Sequence, residues 1–384
     1  MLDVTQVMAG PYCAMLLCDM GARVIKIEPP SGDSTRAMAG ASGTDSAAFN
    51  AVNRGKLGIV LDLQRTEGRA VLRRLAGTAD VLIENYRPGV MTRLGLDFAT
   101  LSRHNPRLVY ASISGYGQTG PAAGKGGFDL VAQGVSGIMS VTGEPDRPPV
   151  KAGVPLTDLG AGLFALSAIL AAIHWRTSSG RGQHIDTSLL DAGVALSVWE
   201  ATEFFAGQDP QRLGSAHRMS APYQAFRCAD GFITIGAAND RTFSKLAMVL
   251  GHAEWTSDRR FASDASRVQH RVALADQIEA ATLGSTCADW LQKLEAAGIP
   301  CGPINTYAEV FADAQVAARE LAVEVEHPTL GRLRALGTPI KMSATPLDPC
   351  RRAPMLGEHT EEVLRAAGYG EEELRSLRST GAIR

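Results

Sequence analysis

The first half of the chain alternates short apolar runs with segments of helical spacing, and that alternation leaves few folds open. Arg23–Glu28, Leu57–Leu63, Val81–Asn85 and Leu108–Ile113 read as strands buried on both faces. Between them Gly10–Asp19, Glu67–Leu75 (stopped by Gly77) and Val90–Arg103 repeat their apolar residues at helical intervals. Strand–helix–strand repetition predicts an α/β fold, a Rossmann-like parallel sheet with helices on both faces. The sequence starts almost directly on a first strand, Met1-Leu-Asp-Val-Thr, as a chain missing a short leader would.

Leu159–Trp175 is apolar nearly all round and falls short of the roughly 20 residues a membrane span needs, so a buried core helix is expected. A short strand and a helix over Ser188–Phe205 follow. A polar, glycine-containing stretch then separates this large domain, 1–206, from a smaller α+β domain, with 207–222 as linker. The small domain, 223–320, holds a strand at Phe232–Gly236 and helices at Thr242–Leu250, Ala265–Ala281 and Cys287–Ala297. A returning hairpin lies in 321–345, over Glu324–Leu336 and turning at Pro328-Thr-Leu-Gly331. Helices Thr360–Ala367 and Glu371–Leu377 within 346–384 return to the large domain.

A net charge of −2 offers no basic footprint for nucleic acid or an anionic membrane. The six cysteines show neither CxxC spacing nor a disulfide framework, which suits a reducing cytoplasm. Nucleotide motifs are missing where an α/β fold would carry them. Val7-Met-Ala-Gly-Pro-Tyr replaces a GxGxxG after the first strand. Gly120-Pro-Ala-Ala-Gly124-Lys125-Gly126 resembles a P-loop but has the wrong glycine spacing and no Ser or Thr after the lysine. The eight histidines lack metal-ligand spacing, so no metal is expected, and no GxSxG elbow marks a serine hydrolase.

One carboxylate stands out. Lys151-Ala-Gly-Val-Pro-Leu-Thr-Asp158 runs from a proline-stiffened segment into the first turn of the apolar helix. Asp158 stands there either as an N-cap or as a reactive group. A helix N-terminus favours the anion while burial opposes it. Glycines at 115 and 117 allow a backbone to come close to a substrate.

Seven motifs along almost the whole chain resemble the class III CoA-transferases, the formyl-CoA and carnitine CoA-transferase family. They are Ala9-Gly10-Pro11 leading into Leu17–Glu28, then Gly32–Arg36, Val81–Gly89, Ser114–Pro121, Gly180–Gln183, Gly298–Pro303 and Leu356–Thr360, with the Asp158 segment between them. The resemblance implies that Asp158 is the nucleophile, attacking an acyl-CoA to give an anhydride and then an aspartyl-CoA thioester. Coenzyme A then enters as substrate, with no permanently bound cofactor and no ATP. It also implies an interlocked homodimer. Asn85 and Tyr86 match positions that line pantetheine, Leu61 one near the adenine, and Arg87 and Arg93 basic CoA contacts. Arg36 and Lys125 are further cations. Taken alone, each arginine also reads as a solvated helix charge. Met8 and Pro29 replace polar or basic contacts of formyl-CoA transferases.

The related 2-methylacyl-CoA racemases carry a histidine before the aspartate of a Gly-His-Asp motif. Here the stretch is Gly126-Gly127-Phe128-Asp129, and Phe128 cannot titrate. A transferase is therefore expected ahead of a racemase; a non-catalytic CoA-binding protein is the third reading. Arg212–Phe226 resembles the branch acting on dicarboxylates, the succinyl-CoA:glutarate transferases. In it His217 and Arg218 are placed to hold a distal carboxylate, or are solvated linker residues. Gly117, Gln118 and Phe128 complete the expected substrate contacts, with succinyl-CoA as donor and a short-chain carboxylic or dicarboxylic acid as acceptor.

Overall fold

A computed structural model of the chain describes residues 1–38 and 46–384 and divides into two compact units. The larger comprises Met1–Ile138, Lys151–Ala206 and Ala314–Arg384; the smaller comprises Met139–Val150 and Gly207–Asp313.

The larger unit is built on six strands: β1 (Leu2–Asp3), β2 (Ile25–Glu28), β3 (Leu57–Val60), β4 (Val81–Glu84), β5 (Val109–Ser114) and β6 (His184–Ser188). All neighbouring pairs are parallel, in the order β3-β2-β1-β4-β5-β6. This is the doubly wound arrangement, in which the strand order reverses between β1 and β4 and leaves a crevice at their carboxyl ends. One face of the sheet packs on Val71, Leu72 and Leu75 and on Val363, Leu364, Leu374 and Leu377 of the two C-terminal helices. The other packs on helices Ala9–Asp19 and Leu156–Ser179 through Cys13, Leu16, Ala161, Ala165 and Ile169.

Several helices differ from their expected spans. Val90–Arg103 is not one helix. Gly95, at φ 65°, ends Val90–Leu94, and Asp97 caps a separate turn Phe98–Leu101 by accepting from the Thr100 amide. Ser188–Phe205 breaks at Ser197, and Ala265–Ala281 at His270. The apolar helix runs from Leu156 to Ser179, ended by Gly180 at φ 70°. It is thus long and apolar enough to cross a membrane, and the length argument against a span does not hold. Its packing places it in the protein instead. Ala161, Ala165, Ile169 and Ala172 are fully buried against the sheet, and Gly162 lies so near Ala9 that a Cβ would meet the Ala9 carbonyl oxygen at 2.7 Å.

The smaller unit carries an antiparallel sheet of β7 (Tyr223–Arg227), β8 (Phe232–Gly236) and β9 (Cys301–Pro303) over a core containing Phe226, Phe243, Phe261 and Leu294. Arg267, fully buried, ties its segments by donating to the carbonyls of Ala221, Phe261 and Ala238 and to Asp240. Residues 139–150 join this unit through a Gly214 N–H to Gly143 O bond of 3.0 Å and an Arg212 to Glu144 O bond of 3.2 Å. The hairpin forms as β10 (Ala322–His327) and β11 (Gly331–Leu336) and belongs to the larger unit.

Candidate active site

A cavity of about 230 Å³ opens at the carboxyl ends of the strands, where the strand order reverses. Gln6, Val7, Met8 and Ala9 follow β1, Asn85 and Tyr86 follow β4, Ile113 and Ser114 end β5 with Gly115 next, and Leu189 follows β6; Gly127, Phe128 and Asp158 complete the wall. This is the position at which doubly wound sheets hold ligands. It brings together Asp158, Asn85, Tyr86 and Phe128, four residues singled out from the sequence.

Asp158 is not a cap. The helix begins after Pro155 with no side-chain cap of its own, and Asp158 lies inside the first turn. Asp129, from the helix Asp129–Val135, does the capping from outside. It accepts from the Thr157 amide at 3.0 Å and the Thr157 hydroxyl at 2.8 Å, while Gln133 donates to its other oxygen at 2.7 Å. The Asp158 carboxylate itself accepts no hydrogen bond from the described residues. Burial, with the Asp129 charge adding to it, pushes its pKa up to about 6. An oxygen nucleophile left unbonded and partly desolvated is more reactive than a solvated carboxylate, provided it is ionised.

The pH dependence follows in sign. A carboxylate raised in the folded state is disfavoured as the anion, so its cost to stability is fully present above pH 6. That cost is relieved as pH falls from about 6 towards the unfolded value of 3.8. Reactivity of the carboxylate as a nucleophile runs the other way: a reaction that needs the Asp158 anion should halve in rate near pH 6 and drop tenfold per unit below it. A pre-steady-state pH profile checks this, and Asp129→Asn should move the half-point to lower pH.

The two loops around Asp158 touch through glycine. A Cβ on Gly115 would lie 2.7 Å from Gly127 Cα, and one on Gly127 would lie 2.4 Å from Gly115 Cα. Phe128, 73% exposed, is the residue before the capping Asp129, so no titratable side chain stands there. Val7 has φ 70°, a region β-branched residues rarely enter, and strain of that kind concentrates at functional sites. Asn85 holds the neighbouring Gln6 on both sides, accepting from its amide at 2.9 Å and donating to its carbonyl at 2.7 Å.

A second cavity of about 240 Å³ is lined by Glu84, Arg87, Ser112, Gln118 and His184, among others. The Gln118 Nε2 is buried without a partner among the described residues. Ser112 lies between Glu84 and His184, 2.9 Å from the His184 Nε2. Burial pushes Glu84 up to about 7 against the Ser112 and Tyr86 hydrogen bonds, and lowers His184 against the pull of Asp186. The Glu84 anion therefore costs stability above pH 7, and the cost fades as pH falls towards 4.5. Glu84→Gln should melt at higher temperature than the wild type at pH 8, by an amount corresponding to about 3 kcal/mol, with the gain shrinking to below about 1 kcal/mol at pH 5. Thermal melts at the two pH values decide it.

Arg36 and Leu61 do not stand as expected. Arg36 is buried at 4% exposure, in a bidentate pair with Glu28 (2.7 and 2.8 Å), donating to Pro354 O and stacked on Phe49 at 3.6 Å. It is a core ion pair with no face free for a phosphate. Leu61, at 1% exposure, points its side chain into the sheet core, so it presents no side-chain surface to an adenine. Arg87, Arg93 and Lys125 are exposed cations, Arg87 lying against Gly126. Gly117, at φ 87°, turns the loop after β5, donating to Ser114 Oγ at 2.9 Å; Gly115 is the glycine that lines the Asp158 cavity. His217 and Arg218 belong to the smaller unit, where Arg271 donates to both their carbonyls. The His217 ring packs edge-on against Tyr223. Sequence reasoning missed Asp129, Glu84 and the Gln6–Ala9 loop. A buried acid followed one and two residues later by the Asn85-Tyr86 pair was the available signal for Glu84.

The model of CoA-transferase family III matches residues 1–360, and the chain belongs to this family. It is therefore an enzyme of the CoA-transferase class, as the motifs implied. The chain is 43% identical over 372 residues to the succinate–glutarate CoA-transferase of Agrobacterium fabrum, covering 94% of this chain and 93% of that one. It is 40% identical over 366 residues to the acetyl-CoA:oxalate CoA-transferase of Acetobacter aceti, covering 93% and 92%. The crystal structure of a CAIB/BAIF family protein from Brucella suis superposes with a TM-score of 0.85 at 40% identity, covering 95% of this chain and 97% of that one.

Proposed function

We propose that the enzyme moves coenzyme A from an acyl-CoA, succinyl-CoA foremost, to a dicarboxylic acid, with Asp158 as nucleophile. The observation that carries this reading is the unbonded Asp158 carboxylate, in the cavity where the strand order reverses, with Asn85 and Tyr86 beside it. An Asp158 oxygen attacks the thioester carbonyl and CoA leaves as thiolate, giving a mixed anhydride. The thiolate then attacks the Asp158 carbonyl of that anhydride, releasing the donor acid and leaving an aspartyl-CoA thioester. The acceptor carboxylate displaces the thiolate, forming a second anhydride. The thiolate opens this at the acceptor's carbonyl, releasing acyl-CoA and restoring the Asp158 carboxylate. Every step exchanges one acyl bond for another, so no energy source is consumed.

Asn85 and Tyr86 would line pantetheine, and Arg87, Arg93 and Lys125 would meet the CoA phosphates as exposed cations. The acceptor class rests on what the two relatives share: the glutarate and oxalate in their names are both dicarboxylates, while the succinate and acetyl-CoA paired with them differ. His217 and Arg218 remain candidates for the distal carboxylate. Phe128 supports transfer over racemisation, because proton exchange needs a titrating group. The unpaired cysteines suit a cytoplasmic enzyme. Exposed Leu163, Phe164, Trp175, Trp199 and Phe205 on the helices 156–179 and 198–205 support a homodimer that covers them, which light scattering of the eluting protein would test.

A panel of acceptors with succinyl-CoA as donor tests the substrate reading. Glutarate should be converted at a kcat/KM at least about tenfold above butyrate, the loss of a paired carboxylate. Equal rates for the two would remove the dicarboxylate assignment while leaving the transferase in place.

A further inference from the structure

We propose that a buried ionic cluster under the first strand is a positioning device, which fixes the strained Val7 turn against Asp158. The cluster consists of Asp3, Lys26, Asp33 and Lys56, each between 0% and 2% exposed, two charges of each sign. Lys26 pairs with Asp33 at 2.9 Å, and Lys56 with Asp3 at 2.8 Å. Burial disfavours all four ions; the lysines nevertheless hold Asp3 below the usual carboxylate range, and Asp3 and Asp33 hold Lys26 above its own.

Removing four charges from water is costly, and an apolar core of the same volume would often be at least as stable. The additional hydrogen bonds indicate what the cluster accomplishes. Lys26 donates to the Thr5 carbonyl, two residues before Val7, and Lys56 donates to the Pro11 carbonyl, four residues after it, at 2.9 Å. Asp3 accepts both the amide and the hydroxyl of Thr5. Thr5 also fills the space beside Gly10, where a Cβ would meet its side chain at 2.3 Å. The chain is thereby clamped on both sides of the left-handed turn, at φ 70°, that carries Val7 into the cavity wall.

Between the clamps, Val7, Met8 and Ala9 line the same cavity as Asp158, and their amide N–H groups have no acceptor among the described residues. Donors fixed in advance beside a developing oxyanion act without reorganising, and displacement by an ångström costs about a hundredfold in rate. Lys26, Asp3, Asp33 and Lys56 touch no substrate in this account. They act through the backbone.

The proposal rests on Asp158 as nucleophile, and the test separates the two. The double variant Lys26→Met with Asp33→Asn removes the Lys26 hydrogen bond to the Thr5 carbonyl without leaving an unpaired buried charge, and the amide oxygen introduced at position 33 can still accept from the Thr35 amide. It should melt within a few degrees of the wild type and bind CoA within about threefold. Its single-turnover rate of covalent adduct formation with succinyl-CoA should fall about 10- to 100-fold. A folded double variant that forms adduct at the wild-type rate overturns the proposal. If the double variant does not fold, Thr5→Val, which takes the hydroxyl from Asp3, decides: slower adduct formation supports the clamp and an unchanged rate overturns it. A wild-type enzyme that turns over without any adduct would remove the nucleophile reading itself, a distinguishable result.

Discussion

Asp158→Asn is expected to lower kcat for CoA transfer by a factor on the order of 10⁴ to 10⁶, the usual consequence of deleting a nucleophile. The amide has the same shape but no anionic oxygen, so the first anhydride does not form. Affinity for CoA should be retained, since Asn85, Tyr86 and the exposed arginines proposed to hold it are untouched. Stability supplies a second signature. In the wild type the Asp158 anion is partly desolvated and faces Asp129, a cost present above pH 6. Asparagine carries no such cost, so the inactive variant should melt at a temperature equal to or above the wild type's at pH 8. An inactive variant that also loses stability would point instead to a structural carboxylate.

The second large effect is expected at Gly127. An alanine there puts its methyl 2.4 Å from Gly115 Cα and 3.4 Å from Gly115 C, and backbone cannot rotate away as a side chain can. The loops must part, so Gly127→Ala should cost about 1–3 kcal/mol in stability and about a hundredfold in kcat/KM. Gly115→Ala, meeting Gly127 Cα at 2.7 Å, should behave alike. Gly124→Ala in the same loop is the control, with nothing within 4 Å of its Cβ and an expected change below about 0.5 kcal/mol. Melting curves and initial rates on the three variants test the set.

Much of the sheet was readable because its strands are buried on both faces and so appear as unbroken apolar runs; β2 to β5 fall where those runs lie. Helix interruptions were harder. Gly95 and Asp97 do announce a stop and a cap, and the Ser197 hydroxyl donates back to the Gly193 carbonyl at its break, but His270 breaks its helix with no glycine, proline or side-chain N-cap there. Asp158, Asn85, Tyr86 and Phe128 converge because each follows a strand or begins a helix at one end of the sheet, which a doubly wound topology brings together. Arg36 and Leu61 failed for the opposite reason. The Arg36 partner, Glu28, lies eight residues away on β2, at no helical or strand interval. Leu61 stands just past β3, where its side chain turns inward. The cap from Asp129 to Thr157 spans 28 residues and the Lys56–Asp3 pair 53; such contacts exist only in the folded chain.

The most direct test of the central claim is mass spectrometry of the protein after brief incubation with succinyl-CoA, with hydroxylamine or borohydride trapping. A modification is expected on the peptide carrying Asp158, formed at a rate that falls below pH 6 and absent from Asp158→Asn. Steady CoA transfer with no modification there, or with the same modification in Asp158→Asn, would contradict it.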